Sequence, residues 1–421
     1  MILTALLILA CIWILAVPVA MRRRVADHTA ACNAGAELYS ESIRAEKLAD
    51  DKRLPKVSVV AFILRDEENL SDYIDLLMGQ DYPNLEVVIV CDASAEATAT
   101  LSEKFENVDG LRITFIPPGS HNLSRRKLAQ TVGIKAATGD IVLLSSTSVL
   151  PRSASWVSAM VADFIASPAS EAMCLGYIRP DISHYEGGAK WYRQFDHMMS
   201  AICWMDAALK GRAYRGDGYN MAFRRQLFFD NKGYASTIPL MDGDDDIFVR
   251  EIAGYGSVSL QLAADSILTT NWGESSNRIH IDYKDRYAFT RRFLPQAPFM
   301  REAASSWARW TALIAGAASV ALAAISLLTP AAMPQWLNSL CEAILWPDEA
   351  LMQVSCGALA IALLIVMAVA EIISYRRVAK ALEATRLFWG IIPFLLWRPI
   401  GNLLFRINHR TSRKSHFTWQ R

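Results

Sequence analysis

The sequence predicts an α/β domain on a mostly parallel sheet, carried between apolar segments long enough to cross a membrane, and three observations support this. Between Lys56 and Tyr177, short apolar runs alternate with amphipathic ones, the pattern of parallel strands covered on both faces by helices. Of the 421 residues, 52% are hydrophobic while the net charge is only +1. A chain that apolar is no ordinary soluble enzyme, and its excess should be concentrated in segments. Such segments stand near both ends.

Ile2 to Met21 is an uninterrupted apolar run followed at once by Arg22, Arg23 and Arg24. A signal peptide carries its charges before the apolar run and a small-residue cleavage site after it, so this run reads as an uncleaved anchor with its N-terminus outside. Two further runs are Trp310 to Thr329, ended by Pro330, and Val354 to Ser374, ended by Tyr375, Arg376 and Arg377. The segment between them carries Glu342, Asp348 and Glu349 but no Lys or Arg, whereas Arg301, Arg309, Arg376, Arg377 and Lys380 flank the pair. The positive-inside rule then puts the acidic segment outside and Arg22 to Arg309 in the cytoplasm. Leu387 to Phe405 is apolar but interrupted by Pro393, Arg398 and Pro399, which suits an interfacial or re-entrant hairpin better than a clean span. The tail has Arg406, Arg410, Arg413, Lys414 and Arg421 with no acid; it reads either as a contact for anionic lipid or as a solvated end. The expected organisation is an anchor over 1–25, a polar and partly helical linker over 26–54, a cytoplasmic domain over 55–300, two spans within 301–374 and a juxtamembrane segment with basic tail over 375–421, in a multi-pass protein of the inner membrane. The seven cysteines are scattered, without a close pair, which suggests neither disulfides nor zinc and fits a reducing cytoplasm.

Within the domain, strands are expected at Lys56–Ile63, Leu85–Val90, Leu111–Ile116, Ile141–Leu144 and Ala172–Tyr177. Helices are expected at Asp66–Gln80, Ala93–Phe105, Leu123–Ala137 and Ser153–Ala166. In such a sheet, ligands bind at the carboxyl ends of the strands. Three ends carry polar residues: Arg65-Asp66-Glu67-Glu68, Asp92, and Ser145 to Ser148. Asp92 reads equally as a partner for a nucleoside or as a cap for the next helix. Trp191 to Trp204 reads as an amphipathic helix near the membrane surface, a core or interface element before an acceptor cradle. Arg212 to Asn220, with two glycines around Asp217, reads as a turn before an edge strand; it serves as an acceptor-side loop or as a plain connection.

Asp242 to Gly254 organises the rest. Asp244, Asp245 and Asp246 follow a glycine and precede an apolar-periodic run with Ile247, Phe248, Val249 and Ile252, the mark of a helix start, where carboxylates are favoured. A charged cap is one reading. The other is a carboxylate held at a pocket rim to take a proton from an attacking hydroxyl.

The order KVSVVAFILRDEENL, QDYPNLEVVIVCDASAEAT, RRKLAQTVGIKAATGDIVLLSS, Trp156, GYNMAFRRQLFFDNKGY and GDDDIFVRE resembles the membrane-bound family 2 glycosyltransferases from about Lys56 to Arg292, and the flanking apolar segments resemble a bacterial subgroup of that family. No single motif is specific; their order is. The resemblance implies a glycosyltransferase type-A fold, a nucleotide-diphosphate sugar donor, and inverting transfer to a hydroxyl acceptor; the membrane architecture suggests a membrane-associated acceptor such as a lipid-linked saccharide, as in polysaccharide biosynthesis of the cell envelope. Nucleic acid is not an expected partner. By the same resemblance Asp92 matches the aspartate that contacts the donor's base, and Lys127 a basic residue near the nucleotide. Asp244 matches the catalytic aspartate, Asp246 and Arg250 its companions in the acidic motif, and Arg286 the arginine facing the diphosphate. Gly243 stands where the family has glutamate. The glutamine and tryptophan of the processive version are missing, which favours a single transfer. Ser146 and Ser148 replace the two aspartates that hold Mg²⁺ or Mn²⁺ in the family, and a hydroxyl is a poor ligand for a hard cation. Asp244 would be the base, with Arg286, helped by Lys284, Arg291 or Arg292, offsetting charge on the leaving phosphate. The rival is a catalytically silent homologue acting as a membrane-held binding or scaffold subunit. Loss of the metal aspartates favours it, and retention of Asp92, Asp244, Asp246, Arg250 and Arg286 opposes it.

Overall fold

The computed structural model describes residues 2–49, 54–63, 70–92, 94–116, 124–168, 170–183, 188–271, 276–328, 350–408 and 416–418. In chain order these form α1 (Ile2–Ile14), a π-helical turn (Leu15–Val19), α2 (Ala20–Ala49), β1 (Val57–Ile63), α3 (Leu70–Met78), β2 (Leu85–Cys91), α4 (Ala95–Lys104), β3 (Leu111–Phe115), α5 (Arg125–Ala136), β4 (Ile141–Ser146) and α6 (Trp156–Ala166). There follow β5 (Glu171–Leu175), β6 (Ile178–Asp181), α7 (Ala189–Leu209), β7 (Met221–Arg224), α8 (Arg225–Asp230), α9 (Asp246–Ile252), β8 (Ser257–Leu260), β9 (Leu268–Asn271), α10 (Ser276–Thr290), α11 (Ala297–Leu328), α12 (Ala350–Ala381) and α13 (Ile391–Asn408). The chain divides into two compact units. One comprises Met1–Arg24, Ala297–Lys380 and Arg386–Leu404; the other comprises Val25–Gln296, Ala381–Thr385 and Phe405–Arg421.

In the first unit the expected apolar runs are helical, and Ile2–Ala36, Ala297–Leu327 and Met352–Ala381 are long and apolar enough to cross a membrane. Pro18 lies inside the π-helical turn; proline cannot donate to the helical ladder, and a wider turn absorbs the break. Leu7, Cys11 and Ile14 of α1 pack with Ala312 and Ala315 of α11 and with Ala360 and Met367 of α12. Small residues bring the backbones together: a Cβ on Gly357 would lie 2.4 Å from that of Ala323. Inside this apolar packing sits a charged triad. Arg22 is fully buried, pairs with the Glu371 carboxylate, and donates to its backbone carbonyl at 3.0 Å, while Arg309 Nε lies 2.8 Å from Glu371 Oε1. Arg22 therefore belongs to the packed interior rather than to the basic flank in which it was counted. In the segment read as an interfacial or re-entrant hairpin, Ile391–Asn408 is the single helix α13, so no re-entrant turn falls within it; Pro399 lies inside the helix and Arg398 pairs with Glu302. The acidic segment with Glu342, Asp348 and Glu349, and tail residues 409–415 and 419–421, lie outside the described residues.

The second unit is the expected α/β domain. Its main sheet has the order β3-β2-β1-β4-β7-β5-β8. β1 pairs in parallel with β2 and β4, and β2 with β3, because apolar runs such as Val57–Ile63 are buried on both faces and need helical crossovers to cover them. One such helix, α5, lies directly on the sheet: a Cβ on Gly133 would come within 2.4 Å of Val60 Cγ1. Two expectations need correction. β7 is no edge strand; it lies antiparallel between β4 and β5, which is why Met221, Ala222 and Phe223 are completely buried. The strand expected over Ala172–Tyr177 is interrupted at Gly176, where a side chain would strike Asn220, and the chain restarts as β6, paired with β9. Of the stretch expected as linker, residues to Ala49 continue α2 as helix, and Val25, Ala26 and Thr29 are buried, with His28 Nε2 2.7 Å from the Leu260 carbonyl. Helix α7 buries Phe195, Met198, Met199, Ile202 and Trp204, so most of the Trp191–Trp204 stretch is core.

Candidate active site

The parallel strands deliver their carboxyl ends to one edge of the sheet. Asp92 follows β2 there. It does not cap α4, because Ser94 does so, accepting the Ala97 amide at 3.2 Å. The Asp92 carboxylate instead takes a two-pronged bond from Arg125, with Nε at 2.7 Å from Oδ2. At the end of β4, Ser146 Oγ and Ser148 Oγ lie 3.1 Å apart, and Ser146 Oγ also accepts the Ser148 amide at 3.3 Å. The polar residues Arg65 to Glu68 after β1 lie outside the described residues.

The acidic motif forms the centre. Gly243 has φ +102°, a conformation L side chains rarely adopt, and a Cβ there would sit 2.8 Å from Ile247 Cδ1. The glutamate that the resemblance implied at this position would be strained there. Asp244, Asp245 and Asp246 are all essentially buried, and burying unpaired carboxylates would be costly. Arg126 of α5 pairs with Asp244 Oδ1 and reaches Asp242 Oδ1 at 3.3 Å, while Gln130 Nε2 is 3.4 Å from Asp244 Oδ2. Asp245 accepts from the Tyr287 hydroxyl and from Arg286, each at 2.7 Å. Burial works against its charge, but the Arg286 and Arg126 guanidinium groups outweigh it and hold its pKa below the ordinary value. Asp246 accepts the Ile247 amide at 2.7 Å through Oδ1, while its Oδ2 is buried without a hydrogen-bonding partner among the described residues. Burial and the neighbouring Asp245 charge push its pKa up.

Sequence reasoning missed several members of this cluster. Arg126 stands beside the Lys127 that was singled out, and nothing in the local sequence says which of the two faces the acids. The turn Arg212–Asn220, read with two meanings, abuts the motif: a Cβ on Gly218 would be 3.0 Å from Asp245 Cβ. Its Arg215 donates to the Tyr283 hydroxyl and lies over the Tyr287 ring. Asp217 accepts the Ile178 amide at 2.8 Å, and burial raises its pKa to about 6. Asn220 ties the turn down with bonds to the Tyr177 and Ser266 carbonyls and from the Trp156 indole.

Two residues do not fill the places the resemblance implied. Lys127 directs its ammonium to the carbonyls of Thr237, Leu240 and Asp242 at 2.7, 2.9 and 2.7 Å. Those bonds use its three protons, so it clamps the chain leading into the motif instead of facing a nucleotide. Arg250 is exposed and donates to the Phe293 carbonyl at 2.5 Å, pointing away from the acids because it lies on the outer face of α9. Nor does the donor set fit the divalent cation of the family. The hydroxyls at its place are neutral and bonded to each other, Asp92 and Asp244 are each held by an arginine, and among the described residues no group of three or more acidic, His or Cys side chains could hold a metal.

The tail returns to this site. Leu240 and Phe417 form a β-bridge, the Met241 amide donates to the His416 carbonyl at 2.8 Å, and the Thr418 amide to that of Pro239 at 3.0 Å. The His416 imidazole lies between Asp242 (Nδ1 to Oδ2, 3.0 Å) and Asp285 (Nε2 to Oδ2, 2.9 Å) and stacks on Phe289. Burial pulls the His416 pKa down, but the bond to Asp242 and the charges of Asp242 and Asp285 outweigh it and raise it above 6.5. Asp242, which burial alone would raise, is brought down to about 2 by His416, Arg126 and Arg286. A histidine whose pKa is raised by docking adds stability that is complete below about 6.5 and lost as pH climbs through the raised value. Hydrogen exchange of the Met241 and Thr418 amides, corrected for intrinsic rates, should therefore be slow at pH 6 and speed up above neutrality, and His416→Gln should abolish the pH dependence. An unchanged pH profile in His416→Gln would remove the imidazole from this role.

The mostly parallel sheet flanked by helices is a fold of the glycosyltransferase type-A class, and its candidate site is a buried carboxylate cluster held by arginines. Residues 58–197 match the family model described as Glycosyl transferase family 2, and the chain is a glycosyltransferase carrying a domain of that family. The match covers β1 through the first part of α7; the acidic motif lies beyond it. No curated protein matches the chain. Among solved structures it is similar to the mannosyltransferase PcManGT from Pyrobaculum calidifontis in complex with GDP-Man and Mn²⁺, at 19% identity over 82% of this chain and 98% of that one, with a TM-score of 0.43. It is also similar to S. aureus TarS 1–349 in complex with UDP-GlcNAc, at 15% identity over 86% of this chain and 92% of that one, with a TM-score of 0.39.

Proposed function

We propose that this protein transfers one sugar, with inversion, from a nucleotide-diphosphate donor to the hydroxyl of a membrane-associated acceptor such as a lipid-linked glycan. The observation that carries the reading is a set of three arginines around the acidic motif. Arg126, Arg215 and Arg286 each keep a buried Nε–H with no hydrogen-bonding partner among the described residues. Unspent buried donors are costly, and three guanidinium groups beside a carboxylate suit a ligand that is anionic where the leaving group departs. The acceptor oxygen attacks the anomeric carbon, the bond from that carbon to the diphosphate oxygen breaks, and the hydroxyl proton passes to Asp244. A carboxylate has about four lone-pair sites; Arg126 and Gln130 take two, which leaves room for the hydroxyl. Arg286 and Arg126 offset the charge growing on the diphosphate in place of a metal. Asp92 would receive the donor's base, exchanging its bond with Arg125. Ser146 would lie near the diphosphate, with Ser148 beside it, and Asp246 would support the motif.

Screening the purified chain against a panel of nucleotide sugars, with and without chelator, tests this, and the anomeric configuration of the product tests inversion. Donor binding should change little on chelation. Ser146→Asp with Ser148→Asp should weaken binding without metal and restore it with Mn²⁺; calorimetric titration reads both. Donor binding by the unaltered chain that disappears on chelation would put a metal in the site after all, and no nucleotide binding under any condition would favour the silent scaffold.

The same reading places the protein in the inner membrane with the α/β unit in the cytoplasm, a topology supported by Arg23, Arg24, Arg376 and Arg377 and by the acidic segment around Asp348. An impermeant thiol reagent should label a cysteine introduced near Asp348 in intact cells and miss one near Asn231; labelling near Asn231 would reverse the topology.

A further inference from the structure

A cavity of about 470 Å³ lies in the α/β unit, lined by the C-terminal end of α10, the turn after it, and the chain around Phe405, Arg406 and His416. None of its lining comes from the strand ends that carry Asp92 and Ser146, so it is separate from the place expected for the donor's nucleoside. Three arginines line it, Arg291, Arg292 and Arg406, against one carboxylate, Asp285, which already accepts from His416 Nε2 at 2.9 Å. Part of this set is held in advance. Arg291 and Arg292 sit on a 3-10 turn closed by Gln296, whose side-chain amide donates to the Arg291 and Leu294 carbonyls at 3.1 and 2.9 Å. Arg292 donates through Nε to the Phe289 carbonyl at 3.0 Å and lies 4.2 Å from the centre of the Phe289 ring, the ring on which His416 stacks. A guanidinium fixed over an aromatic ring, with two more lining the same cavity, matches the planar, two-pronged demands of phosphate oxygens. The volume falls in the range of small-molecule pockets and exceeds what one phosphate fills. The cavity also adjoins the catalytic cluster: His416, which lines it, bonds Asp242, and Asp242 shares Arg126 with the proposed base Asp244.

We propose that this cavity binds the phosphate or diphosphate group of the acceptor, so that the acceptor is a phosphorylated compound; the inference rests on glycosyl transfer being the activity. The phosphate would stand on Arg291, Arg292 and Arg406 while the rest of the acceptor extends toward Asp244. Its source, a lipid or a soluble phosphate, is separated by the choice of probes. The full chain, in nanodiscs of neutral phosphatidylcholine, is titrated with geranyl phosphate, with inorganic diphosphate and with uncharged geraniol. Arg291→Gln with Arg292→Gln, and Arg406→Gln alone, are titrated alongside, with thermal unfolding as the check on folding. Geranyl phosphate should bind the unaltered chain at least tenfold more tightly than geraniol, and each variant should lose tenfold or more of that affinity. Arg292→Lys, which keeps the charge but not the fork, should lose less than the double variant. Binding of inorganic diphosphate without geranyl phosphate would assign the site to a soluble phosphate, and the reverse to a lipid.

The proposal is overturned if geranyl phosphate and diphosphate bind no better than geraniol, or if they bind the variants as well as the unaltered chain. It is also overturned if the variants differ only in nanodiscs doped with phosphatidylglycerol, because the arginines would then be contacting bulk lipid. Nucleotide-sugar binding is measured on the same preparations. Its absence in the unaltered chain would sink the glycosyl-transfer reading, whereas its presence without phosphate binding would sink only the present proposal.

Discussion

Asp244→Asn is expected to slow glycosyl transfer by about 10²–10⁴-fold while nucleotide binding persists, the loss typical of removing a general base. The carboxyl group is about 1% exposed and held by Arg126 and Gln130, so the asparagine should occupy the same place. Its amide oxygen can still accept from Arg126. Its amide nitrogen would face the Gln130 side-chain amide, and Gln130 cannot turn over freely because its Oε1 accepts the Tyr234 hydroxyl at 2.7 Å. A modest loss of thermal stability should accompany the loss of rate, and the two are separated by measuring turnover well below the unfolding transition. Single-turnover transfer with saturating donor isolates the chemical step. Near-normal turnover in Asp244→Asn would move the base to Asp245 or Asp246. Asp246 is the next candidate on geometry, with a buried Oδ2 that has no hydrogen-bonding partner among the described residues, whereas Asp245 is engaged by Arg286 and Tyr287.

The second large effect is expected far from the chemistry. Glu371→Gln should destabilise the helical unit by about 3–5 kcal/mol, the usual consequence of deleting one partner of a buried ion pair. Glu371 is the shared anion of Arg22 and Arg309, and a glutamine would leave both guanidinium groups facing a neutral amide amid apolar helices. Replacing Arg22, Glu371 and Arg309 together with methionine should cost far less, because no uncompensated charge is then left behind. Denaturant titration of the purified protein in detergent compares the two. If Glu371→Gln unfolds at the same denaturant concentration as the unaltered chain, the triad is not an energetic unit.

Legibility from the sequence varied with how local each determinant is. Strands β1 to β4 and helices α4 to α6 fall within a few residues of their expected places because a strand buried on both faces must be a continuous apolar run, and its covering helices must be amphipathic. The same locality made the three apolar spans readable. The extension of α2 past Arg24 was harder to see, because its outer turns are polar and carry no continuous apolar stripe. Of the residues the resemblance singles out, Asp244 and Arg286 lie in one cluster with Arg126 and Asp245, whereas Lys127 and Arg250 are bonded elsewhere. A basic residue's type says nothing about which way its helix face is turned, and those two turn toward backbone carbonyls.

The sequence by itself therefore determined the class of fold, the apolar helices at both ends, the acidic motif and the Ser146–Ser148 hydroxyl pair at the end of the fourth strand, all of them properties of contiguous residues. Only the tertiary structure decided that Arg126 holds Asp244, that Arg215 and Asp217 come beside the motif, that β7 is central, that Arg22 is buried against Glu371, and that His416 reaches from the tail to Asp242 and Asp285. These partners are far apart along the chain. Charged side chains pair according to where strands and helices set them in space, and each buried charge takes whichever opposite charge the packing brings within reach.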